Sequence, residues 1–249
     1  MNKEKHIPSL LPKQWPIPEI FRERLGSSPG KQRIMSEEDH YLIILHQVPT
    51  AKDRGLRKAA LFWINNHGEW KSTPESGGVT GLTKHLDSYL EQVRMLENQL
   101  ESASGSQAPH ILHEIHDHAT PLFRAARHLL SIMQELRDTF PDSREILLNR
   151  DTAITIERSA ELLLADAKSS LEFLAVQNSI QQAQEAHKAT LEANRLNRLA
   201  ALFFPVITIA SILSIEAPQQ ALNDPLTYFI LIIGLLLGIM LLKILKTEK

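Results

Sequence analysis

His110, His113, His116 and His118 crowd one stretch of this chain, HILHEIHDH, with Glu114 and Asp117 among them. Imidazole and carboxylate together suit zinc and other borderline divalent ions. His110, His113 and His116 fall at i, i+3 and i+6, so on a helix they share one broad face. His113, His116, Glu114 and Asp117 are therefore the candidate ligands of a regulatory metal between subunits. A histidine-rich, pH-sensitive or merely solvated face is the plainer reading. The spacing is one residue short of the His-Glu-x-x-His metalloprotease pattern, so no protease follows.

The remaining chemistry is mostly exclusion. With no cysteine, disulfides, thiolate metal sites and cysteine nucleophiles are ruled out. No nucleophile motif and no phosphate-cradling glycine loop is present, so the sequence predicts a protein that is not an enzyme. A formal net charge of -2 leaves no basic surplus to neutralise phosphates, which argues against a nucleic-acid partner.

The elements that must position these residues begin from the C-terminal end. Two charge-free apolar runs, 199–215 and 226–242, are joined by the short polar stretch 216–225. Each is near the lower limit of about 17 residues for crossing a bilayer core of roughly 30 Å. They are expected to form two transmembrane helices, with the bilayer itself as a partner. Arg195 and Arg198 precede the first run, and Lys243, Lys246 and Lys249 follow the second, in the basic tail 243–249; the connecting stretch has no Lys or Arg. The positive-inside rule then puts both termini in the cytoplasm and 216–225 outside, in an inner or plasma membrane. Asp224 and Pro225 make an N-cap and first-position pair for the second helix.

Upstream, residues 1–30 carry five prolines and end in Gly-Ser-Ser-Pro-Gly, and read as an extended or disordered lead-in. Residues 31–81 read as a small antiparallel β region. YLIILH (41–46) and AALFWI (59–64) have strand length, and Asn65-Asn66-His67-Gly68 before Glu69-Trp70-Lys71-Ser72 is a hairpin signature. From 82 to 141 two helices are predicted. The first carries Leu86, Leu90, Val93, Leu96 and Leu100 on one face; the second covers 110–139, bent at Pro121. A third, the stalk 142–198, has no Pro or Gly before Pro205 and feeds directly into the first apolar run. Ile156, Ala160, Leu163, Ala167, Leu171 and Leu174 recur along it at coiled-coil spacing. A helix of roughly 60 residues is about 90 Å long and needs neighbours, the simplest being copies of itself. Its second half, 177–197, is polar and alanine-rich, which suits a hydrated path or an exposed connector. The fold class expected is a mainly α membrane protein: a small N-terminal α+β cytoplasmic domain, a helical bundle, and a stalk continuing into the first of two C-terminal transmembrane helices.

This order of parts resembles the CorA family of divalent metal cation transporters. The most specific match is Asn194-Arg195-Leu196-Asn197 through Phe203-Phe204-Pro205-Val206, which is similar to the family's entry into its first membrane helix; Asn149-Arg150-Asp151 is similar to its early stalk. The match covers roughly the last 170 residues. The resemblance implies a homopentamer, in which first membrane helices line an axial pore. Counting from Pro205, it places Ala193, Leu196, Ala200, Phe204, Ile207, Ser211 and Ser214 on the pore face. Leu196 and Phe204 would then be apolar constrictions that gate by dewetting. Ordinary helix packing is the alternative for the same residues. The family's Gly-Met-Asn signature is replaced by Ser214-Ile215-Glu216, so Glu216 stands at the pore mouth where the family has its selectivity asparagine. A glutamate ring would be a stronger cation attractor and a harder oxygen site.

The function expected is thus passive flux of magnesium or a related divalent cation through a homo-oligomer, with no cofactor beyond the transported or regulatory ion. The alternatives are a non-conducting or loosely selective CorA-like membrane effector or sensor, and a coiled-coil membrane anchor.

Overall fold

A computed structural model describes residues 10–50, 57–104, 107–216 and 225–247. The chain divides into two compact units, Met1–Leu174 and Ala175–Lys249.

The first unit is α+β. Strands β1 (Arg33–Glu37), β2 (His40–His46), β3 (Ala59–Ile64) and β4 (Trp70–Thr73) form one antiparallel sheet in the order β1-β2-β3-β4. Register pairs Ile43 with Phe62, and Trp63 with Lys71. Both faces of β2 and β3 are covered, which is why their sequences are near-continuous apolar runs rather than alternating ones. Alternate side chains go to opposite faces. Ile43, Leu45, Ala60, Phe62 and Ile64 join the main core; Leu42, Ile44, Leu61 and Trp63 join a second.

The second core is closed by residues expected in the lead-in. Leu11, Trp15, Ile17, Phe21 and Leu25 are all buried against the sheet, and Glu19–Arg24 forms helix α1. Arg22 donates to the carbonyls of Pro12 and Trp15, at 3.2 and 2.9 Å, and so ties the proline-rich turn to α1. The prolines set turns here without preventing burial.

The main core is closed by α2 (Val79–Ser102), α3 (Ala108–Thr139) and the first part of α4 (Arg144–Glu216). The entry to α2 is tight. Gly78 has φ 62, and a Cβ there would stand 2.4 Å from the Trp70 Cβ, so only glycine fits. On α4, Ile146, Ala153, Ile156, Ala160, Leu163 and Ala167 are buried in this core. The predicted seam is filled, up to Ala167, from within the same unit. Leu171 and Leu174 are only half-buried.

The second unit holds the rest of α4, which continues without interruption to Glu216, and α5 (Pro225–Thr247). Here the expected fold class is corrected. Among the described residues no helix is long and apolar enough to cross a membrane. The assignment of 199–215 and 226–242 as two transmembrane helices is therefore withdrawn. What stands is an α+β unit with a long helix. The expected outer loop lies, for 217–224, outside the described residues.

Candidate functional site

The second unit has two unlike sides. On one, α5 meets α4 through glycines. A Cβ on Gly238 would stand 2.9 Å from the Leu202 carbonyl oxygen and 3.3 Å from that of Ala201; one on Gly234 would stand 2.6 Å from Ile209 Cδ1. Two glycines four residues apart share a helix face and let a neighbouring backbone come close. Ala201, Leu202, Pro205, Val206 and Ile209 are accordingly half-buried on α4.

The other side is open. Ala193, Leu196, Ala200, Phe204, Ile207 and Ser211, the residues expected to line a path, are all exposed. Leu196 is 71% and Phe204 72% exposed. They recur at three and four residues along one helix face, so α4 brings them together. The Phe204 carbonyl is bonded by the Thr208 hydroxyl at 2.8 Å, and so is not offered outward alone. Ser214 and Glu216 belong to α4 by backbone, and their side chains lie outside the described residues. An exposed stripe of this size on a helix marks a surface built to be covered.

The histidine cluster opens α3. His113, Glu114 and Asp117 are exposed and His116 is half-buried, its Nδ1 3.9 Å from an Asp117 carboxylate oxygen. Among the described residues no three His, Asp or Glu side chains group closely enough to hold a metal ion. A single chain therefore brings two of these four residues near each other and assembles no ligand set from them.

Two buried histidines carry no spacing signal in the sequence. His46 ends β2 at 3% exposure. Its ring Nε2 lies 2.8 Å from the Gly30 carbonyl, which can only accept, so Nε2 bears the hydrogen and Nδ1 is an acceptor. Arg57 approaches that Nδ1 at 3.5 Å. The His46 main-chain N–H donates to Gln32 Oε1 at 3.3 Å, and the Gln32 amide donates to the Ala125 carbonyl at 2.9 Å. Burial lowers the pKa of His46, helped by Arg57 and His128 and opposed by the Gly30 bond. His85 packs its ring against Phe62 and Tyr89, at centroid distances of 5.8 and 5.5 Å. Burial brings its pKa down to about 4, against a raising contact with the His46 main chain. Both rings are neutral structural groups, and only their folded neighbours reveal that.

No family model matches the chain, and no curated protein matches it. Among solved structures it is similar to the complete CorA magnesium transporter of Methanocaldococcus jannaschii, at 13% identity and TM-score 0.48, over 88% of this chain and 79% of that one. It is also similar to the cytoplasmic domain of ZntB from Vibrio parahaemolyticus, at 16% identity and TM-score 0.38, over 68% and 80%. At these identities and scores the likeness transfers no residue role.

Proposed function

We propose that this chain is one subunit of a CorA-like, homo-oligomeric divalent-cation transport protein acting at a membrane. The open face of α4 carries the reading. Leu196, Phe204 and Ile207 are large apolar side chains with nothing covering them in a single chain, while the opposite face is already taken by α5. Copies arranged about an axis, five by the resemblance, would cover that face and leave Ala193, Ala200, Ser211 and Ser214 as small or hydroxyl positions between apolar rings. Such a path passes ions when hydrated and closes by dewetting. Glu216 would add carboxylates that raise the local cation concentration.

The second reading is a non-conducting CorA-like membrane effector of the same assembly. It is favoured by Ser214-Ile215-Glu216 in place of Gly-Met-Asn. One flux assay separates the two. Purified chain is reconstituted in liposomes, and entry of magnesium, zinc, nickel, cobalt and sodium is followed. Divalent flux above that of protein-free liposomes supports transport. No flux from an intact oligomer selects the effector, and no flux from a monomer removes both.

A further inference from the structure

At one end of the sheet the first unit holds a cleft of about 540 Å³, which no part of the reading above uses. Ser27, Ser28, Arg57 and Lys58 line it together with the apolar Leu61 and Pro74. Among the described residues no Asp or Glu lines it. From this composition we propose that the cleft binds a small organic phosphate of about the size of a nucleoside monophosphate.

The charge argument comes first. Arg57's one side-chain hydrogen bond among the described residues is to His46 Nδ1, at 3.5 Å, on a ring that burial keeps neutral against the opposing Gly30 bond. Among the described residues neither Arg57 nor Lys58 pairs with a carboxylate. Two cations beside two hydroxyls, with no counter-charge among the described lining residues, favour an anion. A planar guanidinium with a spare edge is matched to the paired oxygens of a phosphate.

The Ser27–Gly30 part of the lining is tied to the sheet. Arg33 donates to the carbonyls of Pro29 and Lys31, at 2.8 and 3.0 Å, and buried His46 takes the Gly30 carbonyl. The carbonyls of the two lining residues Pro29 and Gly30 thus already accept hydrogen bonds from Arg33 and His46. Inorganic phosphate alone would leave most of the volume empty. Small-ligand sites run from about 300 to 1,000 Å³, and the apolar Leu61 and Pro74 give an organic body something to cover.

The test uses the full chain and three probes: adenosine monophosphate, adenosine and inorganic phosphate, each titrated calorimetrically and by thermal shift. The nucleotide should bind and raise the melting temperature. Adenosine and inorganic phosphate should each bind at least about tenfold more weakly, since each lacks one of the two recognised parts. Arg57→Gln should weaken the nucleotide by a similar factor and leave the melting temperature of the unliganded chain unchanged. If Arg57→Gln lowers that temperature, Lys58→Gln takes its place, because the Lys58 ammonium has no partner to lose among the described residues. No binding of the nucleotide overturns the proposal. So does equal binding by adenosine or by inorganic phosphate, and so does full affinity in both variants.

Discussion

The Tyr89 hydroxyl donates to the main-chain carbonyl of His46 at 2.8 Å. This bond joins the middle of α2 to the last residue of β2 inside the main core. Tyr89 is fully buried, and burial raises its pKa far above the usual phenol value, so the proton stays on the oxygen. Tyr89→Phe keeps the ring and leaves the carbonyl short of a partner. The variant should lose about 1–3 kcal/mol of stability in denaturant unfolding, with no change in the far-ultraviolet spectrum.

His85 makes the stability of the first unit depend on pH. Its folded pKa, about 4, lies below the unfolded value of 6.5. Between those values the unfolded chain binds a proton that the native chain refuses, so stability falls as pH falls through that window and is unaffected by this group above it. From pH 7 to pH 5 the group's contribution amounts to about 2 kcal/mol. His85→Phe, an apolar ring among Phe62 and Tyr89, should unfold with a shallower pH dependence over that range. Parallel pH profiles for the two proteins would contradict the assignment.

The two glycines of α5 should not be equivalent. A Cβ on Gly238 meets backbone, the Leu202 carbonyl oxygen, whereas one on Gly234 meets the tip of the flexible Ile209 side chain. Gly238→Ala should cost about 1–3 kcal/mol by forcing the helices apart, and Gly234→Ala should cost less. Hydrogen exchange along α5 reads this directly: Gly238→Ala should speed it more than Gly234→Ala.

Much of the first unit was legible because its signals are local. β2, β3 and the Asn65–Gly68 turn announce themselves by apolar runs and turn residues, and the core face of α2 by its spacing. β1 was not found, since Arg33-Ile34-Met35-Ser36-Glu37 is a mixed edge strand. Its turn uses positive φ at Glu38 and Asp39, with no glycine to mark it. Residues 10–30 were misjudged because proline frequency hid five buried apolar side chains. Leu196, Phe204 and Ile207, which the family resemblance puts on one face, are exposed together on α4, whereas the close approach at Gly234 and Gly238 shows only once α4 is seen against them. Uniform apolarity in 199–215 and 226–242 was overread as membrane spans. The organic-phosphate cleft was invisible, as its walls come from segments far apart in the chain.

The central claim is that copies of this chain associate through the open face of α4, and the native mass of the full chain tests it most directly. Leu196 and Phe204 are 71% and 72% exposed in a single chain, so aspartate at either position leaves the subunit fold intact, while in an assembly it sets one carboxylate per copy around the axis, where like charges repel. Sedimentation should give a multiple of the subunit mass for the parent chain, and a shift toward the monomer for the Leu196→Asp, Phe204→Asp double variant at unchanged melting temperature. A monomeric parent, or a double variant of undiminished mass, would contradict the account.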